Sequence, residues 1–423
     1  MTGIESKYTV EGNFEECLKC TVCTAYCPVL EVRMDYPGPK AAGPDSERYR
    51  LKSPEFFDKT LKYCLNCKRC ETACPSGVRI GDIIQAARIK YDRQRPRLRD
   101  RMLAETDILG RAASFMAPLA NPVLKNGIAK TALHVLGIDR HRSFPAYSHG
   151  TFASYLRKIQ DCQKRFDRHV AYFHGCYVNY NFPELGKDFV RIMNAVGYGV
   201  LPLERQKCCG VAKIANNLIG RARHDAEINL SAIRKAVGEG LEVISTSSTC
   251  AFTIRDEYPH LLGLENADVR DHLLLATVFL ARKAENGEIK LVFRDGYRKR
   301  VAYHAPCHLR RLGWEAYTLS LLRMIPGLEL VRMPAECCGM AGTYGFKREN
   351  YYYSQKIGRK LVSAIMESGV EAVVTDCETC KWQIEMNTGR EVVNPVSVIA
   401  DALDFEATAA ANENIGKLIE NKL

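Results

Sequence analysis

The 423-residue sequence lacks three features that would assign it to a common class. No window reaches the roughly 18 to 20 consecutive apolar residues of a membrane-spanning helix, so no transmembrane segment is predicted. The opening residues, MTGIESKYTVEGNFEEC, have no apolar signal-peptide core, which predicts a cytosolic, reducing compartment. No GxGxxG motif opens a βαβ unit, so the chain is not expected to hold FAD or NAD itself.

The composition is ordinary apart from its cysteines. Hydrophobic residues make up 46% and charged residues 26%, as in soluble globular proteins. The net charge of +11 fits nucleic acid, an anionic lipid surface or anionic metal clusters, but no nucleic-acid-binding motif accompanies it, so no nucleic acid partner is expected. Eighteen cysteines in tight CxxC runs within a long chain indicate metal binding.

An internal repeat divides the chain. The period is about 130 residues. Three segments of the first copy correspond to segments of the second: VAYFHGC to VAYHAPC, KCCGVA to ECCGMA, and STSSTC to TDCETC. Short β-branched runs alternate with helical stretches in each copy, which predicts a parallel sheet flanked by helices. We therefore predict a multidomain α+β and α/β protein with four segments: a helical, ferredoxin-like di-cluster domain (1–105), a linker (106–167) and two duplicated α/β domains (168–290 and 291–423).

Each of the two N-terminal cysteine runs follows the pattern CxxCxxCxxxCP. In this pattern three close thiolates bind one 4Fe-4S cluster and the fourth, before proline, reaches the other cluster. Zinc motifs use paired CxxC units and do not end in CP. The predicted ligands are Cys17, Cys20, Cys23 and Cys74 for cluster 1, and Cys64, Cys67, Cys70 and Cys27 for cluster 2.

The two repeats carry a second kind of cysteine site, built around Cys-Cys-Gly. Five thiolates exceed what one tetrahedral zinc ion needs, so the second copy favours an iron-sulfur centre. The first copy has serine in the fifth position and is open to a cluster, a zinc ion or a purely structural role. The candidate ligands are Cys307, Cys337, Cys338, Cys377 and Cys380 in the second repeat, and Cys176, Cys208, Cys209 and Cys250, with Ser247, in the first.

The linker contains a candidate membrane-contact helix. Apolar residues recur at helical spacing from Leu124 to Val135, with Lys125 and Lys130 set off from them. An ordinary amphipathic helix packed on the protein surface is the alternative. Pro118 and Pro122 are expected to mark its entry.

These motifs resemble a known family. The di-cluster module followed by two Cys-Cys-Gly (CCG) domains resembles heterodisulfide reductase and glycolate or lactate oxidase iron-sulfur subunits. YCLNCKRCETACPSGVRIGDIIQ, CCGMAGTYGFKREN and TDCETCKWQIEM more narrowly resemble the family of iron-sulfur C subunits of bacterial anaerobic glycerol-3-phosphate dehydrogenases. The resemblance covers essentially the whole chain.

The resemblance implies an electron-transfer subunit without a substrate-oxidising flavin site of its own. It implies that the flavoprotein A and B subunits oxidise sn-glycerol 3-phosphate using FAD, and that this subunit passes electrons to menaquinone. It further implies peripheral attachment to the cytoplasmic face of the bacterial inner membrane. The five-cysteine site is implied to hold a noncubane 4Fe-4S cluster, an implication that Ser247 weakens for the first repeat.

Two other functions stay open at this stage. One is a thiol-disulfide redox subunit of heterodisulfide reductase type, and the other is the iron-sulfur subunit of a 2-hydroxy-acid oxidase. No catalytic residue is assigned, and Cys162, which lies outside every motif, is given no role. Polar residues near the cysteines are more often structural than quinone-binding; they are His174, His304, His308, Glu378 and Trp382.

Overall fold

The computed structural model describes residues 13–53, 58–92, 95–414 and 417. The predicted outer ends of the first and last domains, at residues 1 and 423, lie outside the described residues. Within the described part of the chain, no helix is both long and apolar enough to span a lipid bilayer.

The N-terminal region consists of short helices around the two cysteine runs. Proline, glycine and the CxxC spacing interrupt most of these helices after one or two turns, and only α5 is long. Val78, Leu61 and Ile84 are fully buried and form the core against which α5 packs. The helices are α1 (Val22–Ala25), α2 (Gly38–Lys40), α3 (Ser46–Lys52), α4 (Arg69–Thr72) and α5 (Ile80–Tyr91), with 3₁₀ turns at Asn13–Glu16 and Lys59–Tyr63 and a π turn at Ala41–Asp45.

Six helices follow α5; the first lies at the end of the predicted di-cluster domain and the other five lie in the linker. They are α6 (Leu98–Ala104), α7 (Thr106–Phe115), α8 (Ala117–Lys125), α9 (Gly127–Val135), α10 (Phe152–Lys158) and α11 (Gln160–Gln163). The single amphipathic helix expected around residues 124–135 is therefore wrong in detail, because the chain breaks at Asn126. The Asn126 side chain accepts a hydrogen bond from the Ile128 N–H and so caps α9 as a new helix. Pro118 lies in the first turn of α8, but Pro122 lies inside it.

The first repeat is a four-stranded parallel sheet with helices on its faces. Its strand order is β2-β1-β3-β4, so the order reverses between β1 and β3. The elements are β1 (Arg168–Phe173), α12 (Gly175–Tyr180), α13 (Pro183–Ala195), β2 (Tyr198–Pro202), α14 (Val211–Ala215), α15 (Ile219–Gly238), β3 (Glu242–Ser245), α16 (Ser248–Phe252), α17 (Tyr258–Leu262), β4 (Leu273–Leu275) and α18 (Ala276–Glu285), with a π turn at Thr253–Glu257 and a 3₁₀ turn at Arg270–His272.

The second repeat has the same topology, with strand order β6-β5-β7-β8 and all pairs parallel. The predicted duplication of an α/β unit is thus confirmed. The elements are β5 (Lys299–Tyr303), α19 (Cys307–Arg311), α20 (Glu315–Arg323), β6 (Leu328–Arg332), α21 (Arg348–Glu367), β7 (Ala372–Val374), α22 (Glu378–Thr388), β8 (Glu391–Val393), α23 (Pro395–Ala402) and α24 (Phe405–Ala411), with a 3₁₀ turn at Tyr344–Phe346.

The two repeats share one hydrophobic core. Val170 and Tyr172 of β1 belong to the same buried cluster as Val301 and Tyr303 of β5. Strands covered on both faces read as continuous apolar runs, which explains the sequences HVAYF and VAY. In open α/β sheets ligands bind beyond the carboxyl ends of the strands, at the point where strand order reverses. The cysteines of both repeats follow strand ends in this way.

Candidate iron-sulfur sites

The two N-terminal cysteine runs enclose two small pockets. Cys17, Cys20, Cys23 and Cys74 line one pocket of about 20 Å³. Cys27, Cys64, Cys67 and Cys70 line another pocket of about 20 Å³. Each run therefore contributes its first three cysteines to one pocket and its fourth cysteine to the other. Their assignment as cluster ligands stays a proposal, which this grouping supports.

The backbone around both pockets is shaped in the same unusual way. Lys19 and Thr21 flank Cys20 with φ of 60° and 64°, and Asn66 and Lys68 flank Cys67 with φ of 53° and 61°. When left-handed residues alternate with right-handed ones, successive backbone N–H groups point to the same side. They then form a concavity that binds anions, including iron-sulfur clusters. The Asn66 N–H donates a hydrogen bond to Cys64 Sγ at 3.4 Å. The loops therefore present amide dipoles that suit a negatively charged cluster.

Three of the four thiols of cluster site 2 need a cation to lose their protons. Burial raises the pKa of Cys27 to about 12, and burial also raises the pKa of Cys64 and Cys70. Metal binding replaces thiol protons and supplies the positive charge that a buried thiolate lacks. The donor set and the burial together fit a polynuclear iron-sulfur cluster.

The five cysteines of the second repeat converge at the carboxyl end of its sheet. Cys307 begins α19, Cys377 immediately precedes α22, and Cys380 lies in the first turn of α22. Cys338 Sγ lies 3.3 Å from Cys380 Sγ, and Cys307 and Cys337 are close enough for each thiol to affect the pKa of the other. All five border one cavity of about 360 Å³.

The glycine of the second CCG turn has no room for a side chain. Gly339 has a φ of +87°, and a Cβ added there would lie 2.1 Å from the Ser354 carbonyl oxygen. Its N–H donates to Cys337 Sγ at 3.4 Å. The adjacent cysteines are therefore followed by a left-handed glycine, and the close approach of α21 explains why glycine is needed.

The four cysteines of the first repeat also lie together. Cys176 Sγ is 3.8 Å from Cys208 Sγ, and Cys208 and Cys250 are close enough to Cys209 to affect the pKa of its thiol. Among the residues described, no group of three or more His, Cys, Asp or Glu side chains is placed to hold a single metal ion.

Ser247 is turned toward the second repeat. Its hydroxyl accepts a hydrogen bond from the Cys250 N–H at 3.2 Å, which caps α16, and donates to Glu378 Oε2 at 3.0 Å. Burial, with a smaller contribution from the neighbouring Cys377, raises the pKa of Glu378 to about 8. The hydroxyl therefore acts as acceptor and as donor to groups of the protein itself.

The di-cluster domain docks directly onto the second repeat. Cys67 and Cys307 border the same cavity, and each thiol affects the pKa of the other, so a predicted ligand of cluster 2 lies beside a predicted ligand of the CCG site. Two ion pairs flank this contact: Arg69–Glu336 at 3.3 Å and Arg311–Glu71 at 3.2 Å. Charged partners on both sides hold the two cysteines together.

The three histidines near the cysteines are neutral; His304 is buried, and His174 and His308 are half-buried. Burial lowers the pKa of His174, His304 and His308 to about 4 in each case. His304 is 1% exposed, and neither of its ring nitrogens has a partner among the described residues. Because Cys337 is close enough to affect the pKa of His304, sulfur acceptors of a bound cluster would satisfy this orphaned donor.

Some residues at the sites carried no signal in the sequence. Asp107, in the linker, accepts a hydrogen bond from the Cys208 N–H at 2.8 Å, and burial beside Cys208 raises its pKa to about 6. Gln85 and Arg88 border the large cavity. Only the tertiary contacts bring these residues to the cysteines. Cys162 lies in α11, and its role stays unassigned.

Comparison with known proteins agrees with this architecture. The 4Fe-4S dicluster domain family matches residues 13–78, and the CCG cysteine-rich domain family matches residues 170–255 and 301–385. The C subunit of anaerobic glycerol-3-phosphate dehydrogenase from Escherichia coli K12 is 52% identical over 93% of this chain and 99% of that protein. The chain belongs to this family of C subunits. It is an iron-sulfur electron-transfer protein of the oxidoreductase class.

More distant relatives share the whole arrangement. The glycolate oxidase iron-sulfur subunit of Escherichia coli K12 is 26% identical over 92% of this chain and 94% of its own length. The D subunit of the dihydromethanophenazine:CoB–CoM heterodisulfide reductase of Methanosarcina barkeri is 24% identical, with 93% of both chains covered. Among solved structures, glutamate racemase RacE1 from Bacillus anthracis aligns at 8% identity over 56% of this chain and 80% of that chain, with a TM-score of 0.27, too low to bear on fold or function.

Proposed function

We propose that this chain relays electrons within an anaerobic sn-glycerol-3-phosphate:quinone oxidoreductase. A flavoprotein partner made of the A and B subunits, which carries FAD, supplies the electrons, and menaquinone accepts them. The observation that supports the relay is that Cys67 of cluster site 2 and Cys307 of the second repeat border the same cavity. The identity of donor and acceptor rests on the 52% identical relative.

The N-terminal cysteines are proposed to hold two 4Fe-4S clusters, which change oxidation state by one electron when bound. Cys17, Cys20, Cys23 and Cys74 hold the first, and Cys64, Cys67, Cys70 and Cys27 the second. The small pockets, the left-handed residues beside the middle cysteines and the raised thiol pKa values support this assignment.

The second repeat is proposed to hold a further cluster on its five cysteines. The orphaned His304 and the N–H of Gly339 supply hydrogen-bond donors around it. In the first repeat, Cys176, Cys208, Cys209 and Cys250 are proposed as a four-thiolate site for a cluster. Ser247 serves there as a helix cap and is not needed as a ligand.

The contacts support an order for the relay. Cluster site 2 meets the second repeat directly: His308 Nε2 lies 3.3 Å from the Asn66 carbonyl oxygen, and Cys67 and Cys307 border the same cavity. The first repeat meets the second-repeat site through Thr249, whose Oγ1 lies 3.3 Å from Cys377 Sγ. We therefore place the second repeat next after cluster 2 and the first repeat beyond it.

An iron count with a matched cysteine pair tests the relay. The anaerobically purified chain should carry at least about eight iron atoms, from two four-iron clusters alone. Cys67→Ser should lower the iron content and interrupt reduction of the second-repeat centre by the glycerol-3-phosphate-reduced flavoprotein. Cys162→Ser removes a thiol outside every site and should behave as wild type. About four iron atoms or fewer would contradict the proposal, as would equal behaviour of the two variants.

Attachment to the inner-membrane surface is proposed to use helices α7 to α9. Their exposed apolar side chains form a surface that we call the apolar patch. Phe115 and Ile128 are each 83% exposed, and Val135 is 78% exposed. Patches of this kind mark protein or membrane contacts, and nearby cations strengthen binding to anionic lipid. The patch comprises Ile108, Leu109, Phe115, Met116, Leu119, Val123, Ile128, Val135 and Leu136, with Arg111, Lys125 and Lys130 nearby.

Vesicle binding tests the patch. Phe115→Glu combined with Ile128→Glu should weaken cosedimentation with phosphatidylglycerol-containing vesicles by more than about tenfold, because each change removes a large inserted side chain. Met34→Glu is the control, since Met34 is 95% exposed but lies in the di-cluster domain. Unchanged binding of the double variant would reject the patch as the lipid contact and leave the relay unaffected.

A further inference from the structure

The cavity at the second repeat is far larger than a cluster requires. The pockets of the two N-terminal quartets measure about 20 Å³ each. The cavity bordered by the second-repeat cysteines measures about 360 Å³ and extends along the di-cluster domain to α5 and α6. A cluster on the five cysteines therefore leaves most of this cavity for another molecule. Its volume falls in the range of small-molecule sites.

Unpaired polar atoms line the remaining space. Gln85 and Asn216 are 3% and 4% exposed, yet Gln85 Nε2 and Asn216 Oδ1 have no hydrogen-bond partner among the described residues. Arg88 Nε is also without one, although Arg88 Nη1 donates to Gln85 Oε1 at 2.8 Å and so orients that amide. Buried polar groups are almost always paired, so these atoms indicate a missing partner.

The wall of the remaining space offers both polar and apolar contacts. Two of the cations that border the cavity are ion-paired, Arg99 with Glu349 at 2.7 Å and Lys347 with Asp100 at 2.9 Å. Charged and polar side chains border the cavity together with apolar ones; the latter include Leu65, Val211, Ile214 and Ala215. A flat ring with polar atoms at its edge would use both kinds of contact.

We propose that this cavity binds a quinone head group beside the second-repeat cysteines, with Gln85 and Arg88 as hydrogen-bond donors to its carbonyl oxygens. The inference rests on the proposed function, since it assumes that reduced clusters supply the electrons. The quinone gains two electrons, delivered one at a time as the clusters are oxidised, and two protons from solvent. Its two carbonyl oxygens become hydroxyls. Asn216 Oδ1 is then placed to accept a hydrogen bond from the quinol.

The rim of the cavity and the apolar patch belong to one continuous segment. Arg95, Pro96 and Arg97 border the cavity, and α6 to α9 follow them along the chain. Arg99 Nη1 donates to the carbonyl oxygen of Gly137, at 2.9 Å, which ties α6 to the end of α9. A head-group site at this rim is therefore built on the segment proposed to meet lipid.

Single-turnover reoxidation tests the site. The full chain, loaded with its clusters and reduced with dithionite that is then removed, is mixed with menadione, a naphthoquinone without a tail. The rate should saturate with menadione concentration. Gln85→Leu, or the milder Gln85→Met, should raise the half-saturating concentration roughly tenfold, because one buried donor is lost. Lys90→Leu, at an exposed position of the same helix, is the matched control.

Two further measurements separate the site from the relay. Equilibrium dialysis of menadione against the oxidised chain should show the same loss of affinity for the Gln85 variants. Ferricyanide, which needs no binding site, should reoxidise all variants equally. If ferricyanide works but menadione kinetics are linear, or the Gln85 and Lys90 variants agree, the site is refuted and the relay stands. If ferricyanide oxidises nothing in the dithionite-treated chain, the chain holds no reduced clusters and the relay itself is refuted. Saturation by a small disulfide in place of menadione would overturn the quinone assignment.

Discussion

Replacing Ser247 by alanine should loosen the contact between the repeats without removing a cluster ligand. The hydroxyl caps α16 through the Cys250 N–H and donates to the half-buried Glu378. Losing a serine cap costs about 1 kcal/mol. Leaving a buried carboxyl oxygen without its donor costs about 1 to 3 kcal/mol. The free energy of unfolding should therefore fall by about 2 to 4 kcal/mol.

Anaerobic urea unfolding of the iron-loaded chain, followed by cluster absorbance and circular dichroism, measures this loss. Ser247→Thr is the control because threonine keeps the hydroxyl and is also a good cap, so its stability should stay within about 1 kcal/mol of wild type. Iron content and the Mössbauer spectrum should be the same in wild type and both variants.

The opposite pattern would refute this reasoning. If Ser247→Ala loses iron, or if the Mössbauer signature of one centre changes while stability does not, then the serine oxygen is a ligand of the first-repeat site. In that case the two bonds that Ser247 makes to protein groups would have to break when metal binds.

Two further changes follow from the geometry of the second repeat. Gly339→Ala should prevent iron from binding there, because its Cβ would meet the Ser354 carbonyl oxygen at 2.1 Å. Gly342→Ala is the control: Gly342 has a φ of +60° but open space around it, so this variant should lose only about 1 to 2 kcal/mol of stability and keep its iron. His304→Leu should lower the reduction potential of the centre by about 60 mV, the equivalent of one lost hydrogen-bond donor. His304→Asn keeps a donor and should lower the potential less. Equal potentials of wild type and both variants in a redox titration would show that His304 does not bond to the cluster.

Several features were predictable because they depend on local pattern. The apolar runs HVAYF and EAVVTD are short and β-branched, and they form β1 and β7 as parts of parallel sheets. The CxxCxxCxxxCP spacing groups the same four cysteines that line each N-terminal pocket. In such segments the nearest neighbours along the chain decide the conformation.

The linker shows where local pattern was insufficient. Apolar spacing from Leu124 to Val135 suits one helix, but Asn126 can cap a new helix by binding the Ile128 N–H, and the chain turns there. Helical periodicity continues across such a break, so the pattern alone does not reveal it. Whether the apolar residues face a core or remain exposed also depended on tertiary packing; Ile128 is 83% exposed.

By itself the sequence determined the duplicated α/β plan and the predicted grouping of the N-terminal cysteines. It also showed that the first repeat has a serine where the second has its fifth cysteine. Each of these features can be read from the spacing of residues. Only the tertiary structure decided that Ser247 bonds to Glu378, that Cys67 lies beside Cys307 and that a large cavity borders Gln85. These contacts join residues far apart in the chain. Their geometry depends on how whole domains pack, and no local pattern in the sequence encodes that packing.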